Sequence, residues 1–219
     1  PPESEGNLPL GEAQRLHRHV FPRLMDLTMG SGNAKKQRGE ALAPAYGDVL
    51  EIGFGTGRNL PHYPAAVTSL TAIDPADLLP GKRDRRIAEA RMPVERVGRG
   101  AETLPFENER FNCAVSTWTL CTIPDAVAAV REIARVLKAG GQFLFLEHGR
   151  SDDAKVARRQ DRFNPIQRKL GCGCNMNRRI DAIIRRGDME VMSLARYVMD
   201  GSPRVLGEMY RGTAKPAGT

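Results

Sequence analysis

Aromatic side chains are scarce in this chain: seven Phe, four Tyr and one Trp among 219 residues. So few rings make a poor platform for stacking the bases of a single-stranded nucleic acid, and that class of partner is disfavoured. Apolar runs are short as well. None approaches the ~18 residues that a bilayer span needs, and the first residues, polar from Pro1 to Pro9, carry no signal-peptide pattern. Cysteine is limited to Cys113, Cys121, Cys172 and Cys174, with no disulfide framework in the spacing. These absences predict a cytoplasmic protein with reduced thiols. The Cys172–Cys174 pair has neither the C-x₂-C spacing nor the His partners usual in metal sites, so loop packing is favoured over zinc or a soft metalloid, and no metal is expected.

The length suits one α/β domain with a full hydrophobic core. Residues 11–46 read as helical, with Leu16, Val20, Leu24 and Leu27 at three- and four-residue intervals, Pro22 opening a second segment, and a further helix over 34–43. Strands then alternate with helices. Strands are expected over 48–52, 69–74, 94–97, 111–117 and 142–147, with helices near Arg58 and over 77–91 and 125–137. That alternation argues for a parallel sheet with helices on both faces. After Glu147 come a basic segment containing Asn164-Pro165, a helix over 177–186 started by Asn177, and two closing strands at 190–198 and 207–214.

Positive charge is concentrated. Residues 150–186 hold eleven Arg or Lys against four Asp, an excess equal to the net +7 of the whole chain. Two readings stand: a solvated helical face, or a surface for an anionic partner such as an acidic substrate, a phospholipid surface or RNA.

The most informative stretch is Val49-Leu-Glu-Ile-Gly-Phe-Gly-Thr-Gly57, with Asp74 ending the next apolar strand 21 residues after Gly53. Glycines after a buried strand let the backbone approach a ligand, and an acid closing the next strand is placed to accept from ribose hydroxyls. The spacing G-x-G-x-G differs from the dinucleotide fingerprint G-x-G-x-x-G. Glu51 would repel a pyrophosphate but suits a cationic ligand.

These residues resemble the first motif of the class I S-adenosylmethionine-dependent methyltransferases. Ala101-Glu-Thr-Leu-Pro-Phe106, the strand Phe111–Thr117 and Val136-Leu-Lys-Ala-Gly-Gly141 follow in that family's order. The resemblance implies a Rossmann-like, seven-stranded, mostly parallel sheet of order 3-2-1-4-5-7-6 with strand 7 antiparallel. It implies one domain, with residues 11–46 as an N-terminal helical lid, 47–148 as cofactor-binding core, and 149–219 as acceptor-side helices and terminal strand pair. It also implies S-adenosyl-L-methionine as methyl donor and S-adenosyl-L-homocysteine as product. Backbone at Gly53, Phe54, Gly55, Thr56 and Gly57 would line the donor, with Glu51, Asn59 and Thr117 near its methionine part and Asp74 on the ribose. Pro75, Ala76, Ala101 and Glu102 would border the adenine. Related enzymes often carry an acid just before Ala101; here it is Gly100.

On the acceptor side, Trp118-Thr-Leu-Cys121 and Leu146-Glu-His148 stand at carboxyl ends of strands, where open α/β sheets bind ligands. Leu120-Cys-Thr-Ile123, Gly173-Cys-Asn-Met-Asn-Arg178 and Leu206-Gly-Glu-Met-Tyr-Arg-Gly212 resemble a subgroup that includes thiol S-methyltransferases. A small thiol is therefore the expected acceptor, with Trp118, His148 and Cys174 at the substrate. His148 is either a base or orienting group, or a cap of the following helix. Alternatives are C- or O-methylation of a quinone-like or acidic metabolite, and a non-catalytic binder on the same fold. Peripheral membrane contact through 150–186 stays open, as does the oligomeric state.

Overall fold

The computed structural model describes residue 23, residues 26–171 and residues 173–218. Leu16, Pro22, Val20, Leu24 and Cys172 lie outside them; Leu27 is described, and it is exposed. The strands are β1 (Gly47–Ile52), β2 (Val67–Ile73), β3 (Val94–Val97), β4 (Phe111–Thr117), β5 (Leu137–His148), β6 (Met189–Val198) and β7 (Glu208–Pro216). They form one sheet of order β3-β2-β1-β4-β5-β7-β6. The first five run parallel, and β7 is antiparallel to both β5 and β6. Order and hand of pairing are those expected.

Side-chain alternation along the strands divides the core in two. Val49, Cys113, Val115 and Leu144 face one way, against Leu42, Phe54, Leu60 and Tyr63. Leu50, Ile52, Ala114, Phe143 and Phe145 face the other. That second layer is covered by α3 (Ala126–Val136), whose Ala126, Ala129, Val130, Ile133 and Val136 recur at helical spacing and are buried. Asp125 caps it by accepting from the Ala128 amide at 2.9 Å. Two earlier helices are α1 (Gly32–Leu42), capped by Ser31, and α2 (Pro80–Ala88). The latter is shorter than the 77–91 expected: Pro80 occupies its first turn, and Leu79 before it has φ +42°, outside helical geometry. The helical turn near Arg58 is a 3-10 turn at Leu60–His62.

The largest departure follows β5. Residues 154–170 form a seventeen-residue helix, α4 (Ala154–Leu170), with Pro165 inside it. Pro165 removes one donor from the ladder and disguises the helix in the sequence. Asp153 starts it, accepting from Lys155 N at 2.8 Å, and Val156, Ala157 and Gln160 anchor it. The helix α5 (Ile180–Arg186) begins three residues later than expected. Asn177 does not cap it; its side chain donates to Asp161 instead. A short helix α6 (Arg204–Gly207) precedes β7. Among the described residues no helix is long and apolar enough to cross a membrane.

Candidate active site

The carboxyl ends of β1, β2, β4 and β5 lie along one edge of the sheet and deliver Gly53, Asp74, Trp118 and His148 to it. In the turn after β1, Gly53 has φ +76° and Gly55 φ +56°, both in the left-handed region. They serve different ends. A Cβ at Gly53 would lie 2.0 Å from Thr119 Oγ1, so this glycine admits the loop after β4; a Cβ at Gly55 would meet nothing within 4 Å, leaving an open cradle. Asp74 fastens that cradle, accepting from Gly55 N at 2.6 Å and from Ala76 N at 2.8 Å. Pro75 is exposed and Ala76 half-buried beside it. Phe54 turns its ring into the core, where it packs beneath Gly57 of the same turn.

Glu51 is buried on β1 and accepts from Tyr63 Oη at 2.7 Å and Asn59 Nδ2 at 3.0 Å. Burial pushes its carboxyl up to about 7, against the lowering effect of these hydrogen bonds and of Arg38. Asn59 also donates to Thr117 Oγ1 at 3.0 Å and accepts from Arg38 Nε at 3.0 Å. Three predicted residues, Glu51, Asn59 and Thr117, thus form one network. Tyr63 and Arg38 complete it and were not singled out in the sequence. The Arg38 guanidinium, lowered to about 10 chiefly by burial, lies 4.7 Å from the centroid of Trp118. Trp118 itself has φ +51°, a strained value for an aromatic residue that turns the chain at the end of β4.

Thr56 is placed differently from the other loop residues. Its hydroxyl donates to Asp26 at 2.6 Å. Asp26 also gathers Arg58, Lys82 and Arg86. Burial alone would raise its carboxyl, but the hydrogen bonds from Arg58, Arg86, Thr56 and Lys82 hold it far below the ordinary range. Ala101 is buried, and Glu102 takes the space beside Gly100: a Cβ at Gly100 would lie 2.8 Å from Glu102 Oε2. The Glu102 carboxylate thus reaches back alongside Gly100.

At the end of β5, His148 contacts the Leu206 carbonyl through Nε2. A carbonyl only accepts, so Nε2 carries the proton. Nδ1 then faces Cys174 Sγ at 3.8 Å, and Cys174 Sγ lies 3.5 Å from Cys121 Sγ. Because Asp153 caps α4, the alternative role of His148 as helix cap is ruled out. Beneath the loop after β4, buried Glu147 accepts from Ser116 Oγ at 2.7 Å and from Thr119 N at 2.9 Å. Burial raises it to about 7 despite these donors. Among the described residues no cluster of three or more His, Cys, Asp or Glu is arranged to hold a metal ion.

Comparison with known proteins decides the family. A family model described as "Methyltransferase domain" matches residues 50–145. The thiol S-methyltransferase TMT1B of Homo sapiens is 30% identical over 183 residues, covering 77% of this chain and 75% of that protein. The chain belongs to the class I S-adenosylmethionine-dependent methyltransferases. This methyltransferase is also 32% identical over 132 residues to the ubiquinone/menaquinone biosynthesis C-methyltransferase UbiE of Pseudomonas fluorescens (strain Pf0-1), covering 56% of this chain and 51% of that protein. It spans 38% and 62% of the length of two further curated methyltransferases. Among solved structures, the Burkholderia thailandensis 1,6-didemethyltoxoflavin-N1-methyltransferase with bound 1,6-didemethyltoxoflavin and S-adenosylhomocysteine shares the fold, with a TM-score of 0.66 at 15% identity over 97% of this chain and 93% of that one. The methyl donor of the family is S-adenosylmethionine. The residues of this methyltransferase fit it on two counts. The cradle at Gly55 is open, and the buried carboxylate of Glu51 meets hydroxyl and amide groups in the described residues, suiting it to a cationic ligand.

Proposed function

We propose that this methyltransferase acts on a small thiol. When bound, S-adenosylmethionine supplies an electrophilic methyl group on a sulfonium. The observation that carries the thiol reading is the orientation of His148, whose Nε2–H is fixed by the Leu206 carbonyl while Nδ1 faces a sulfur, Cys174. An imidazole held in this tautomer takes a proton at Nδ1, and a thiol with a free pKa of about 8.5 needs little more than that to become a nucleophile. Trp118 and Cys174 wall the acceptor. Glu51, Asn59 and Thr117 take the methionine end of the donor, and Asp74 exchanges its Gly55 contact for ribose hydroxyls. Backbone at 53–57 lines the sulfonium side, and Pro75, Ala76, Ala101 and Glu102 border the adenine. Methyl transfer needs chiefly this positioning, since in-line displacement at carbon gains most from near-attack geometry. The relationship to TMT1B supports the choice of thiol.

A second reading, C- or O-methylation of an acidic or quinone-like acceptor, is favoured by two observations. One is the relationship to UbiE. The other is a basic cleft of about 260 Å³ lined by Lys35, Arg38, Arg58, Pro61, His62 and Arg86. We further read the described part of the N-terminal segment as a lid, because Asp26 and Arg38 reach the loop residues Thr56 and Asn59. A cytoplasmic location is proposed with it, as is accessory contact of an anionic lipid surface with α4, whose Arg158, Arg159, Arg162, Phe163 and Ile166 are exposed.

A labelled-methyl screen over alkyl thiols, quinols, catechols and acidic metabolites tests the acceptor. Labelled thioether, lost in H148A, supports the first reading. Product from quinols alone replaces it with the second, and donor binding without transfer to any class leaves a binder.

A further inference from the structure

We propose that Cys121 and Cys174 form a reversible dithiol–disulfide couple, a modification site for small hydroperoxides at the acceptor edge of the sheet. The two sulfurs lie 3.5 Å apart, although the residues are 53 positions apart in the chain. Their backbones are clamped together. Asn175, next to Cys174, donates to the Cys121 carbonyl from its backbone N at 2.8 Å and from its side chain at 3.1 Å. Arg178 donates to the carbonyls of Leu120 and Ile123, on either side of Cys121. Closing the disulfide requires the sulfurs to move from 3.5 Å to the bonded separation of about 2.05 Å, across backbones that these hydrogen bonds already hold side by side.

The pair is unequal, as a reactive and a resolving thiol must be. Cys174 is half-buried and lies beside His148, whereas Cys121 is buried. The hydrogen bond with Cys121, then the contact with His148, shifts Cys174 toward the thiolate, while the same hydrogen bond and burial hold the proton on Cys121. Cys113 is the internal contrast: it is sealed in β4, with its thiol pushed up to about 12 by burial.

The chemistry balances with a hydroperoxide as oxidant. Cys174 thiolate attacks the peroxide oxygen, an S–O bond forms, the O–O bond breaks, and the leaving alkoxide or hydroxide takes a proton. Cys121 then attacks the sulfenic sulfur; the S–S bond forms, the S–O bond breaks, and hydroxide leaves as water with the Cys121 proton. Two sulfurs lose two electrons and the peroxide gains them. An external dithiol reverses the step by exchange and is itself oxidised.

None of this depends on the identity of the methyl acceptor. The test is peroxide treatment of the full chain, alkylation of remaining thiols, and peptide mapping with and without dithiothreitol. Cys172 and Cys174 share one tryptic peptide, so C172S is mapped beside the unaltered chain. The expected result is a dithiothreitol-sensitive link between the Cys121 peptide and the 170–178 peptide in both proteins. It is absent in C174S, and C121S accumulates a dimedone-reactive sulfenic acid at Cys174. Loss of the link in C172S, or oxidation of Cys174 with Cys121 still alkylated in the unaltered chain, overturns the proposal. Should C121S fail to fold, the C172S map decides alone.

Discussion

The Tyr63 hydroxyl donates to Glu51 across 2.7 Å, with both side chains buried beneath the glycine turn. The hydroxyl fixes the carboxyl group, which in the proposed assignment forms the floor of the donor site. Because burial has raised this acid to about 7, its charge at working pH depends on what binds above it.

Donor affinity should therefore depend on pH. A cation above Glu51 favours the ionised form, so below pH 7 binding must displace a proton, and affinity falls by up to about tenfold per pH unit. Above about pH 8 the donor loses its own ammonium proton and affinity declines again. Titration calorimetry from pH 5.5 to 9 should give a maximum between these limits. E51Q should bind more weakly and lose the acidic limb; an unchanged acidic limb in E51Q would place the titrating group elsewhere.

Stability should run in the opposite direction. Glu51 and Glu147 are both raised from 4.5 to about 7, so the folded chain binds more protons than the unfolded chain between those values. Their contribution is fully present below pH 4.5 and is lost as pH rises through 7, on the order of 3 kcal/mol for each group. Denaturant melts at pH 5, 6, 7 and 8 read this slope, and E147Q should reduce it. A slope unaffected by E147Q would mean that Glu147 does not titrate there.

Gly53 and Gly55 should respond differently to alanine. In G53A the new Cβ meets Thr119 at 2.0 Å and the backbone has φ +76°, so a loss on the order of 3 kcal/mol is expected. G55A adds a Cβ to open space and bears only backbone strain, about 1 kcal/mol. It should nonetheless impair donor binding by filling the cradle. Equal stability losses, with donor binding intact in G55A, would contradict this division.

Asp26 tests the proposed lid. In D26A the cations of Arg58, Lys82 and Arg86 lose their shared partner. Hydrogen exchange over residues 26–31 should speed up, while β1 and β4 keep their protection. Unchanged exchange in that segment would remove Asp26 as the fastening.

How much of this could be read from the sequence follows from how local each signal is. The glycine turn, Asp74 and the strand alternation are written in adjacent residues, so the parallel α/β layout was legible, and the resemblance those residues carry implied the strand order that the sheet shows. The bounds of α4 were not legible, because Pro165 and a largely charged surface mask a buried face limited to Val156, Ala157 and Gln160. Thr56 was read as a donor contact; that its hydroxyl binds Asp26, thirty positions earlier, was not foreseen. Tyr63, Arg38 and the Cys121–Cys174 pair were missed for the same reason. Each owes its role to a contact across the fold, and no local pattern marks it.

The most direct test of the donor site is calorimetric titration of S-adenosylmethionine into the unaltered chain and D74A near pH 7.5. Binding at one site per chain is predicted, weakened in D74A by about 1–3 kcal/mol through loss of charge-assisted hydrogen bonds. No binding at millimolar donor to a correctly folded chain, or equal affinity in D74A, would contradict the assignment of Asp74 and the glycine turn.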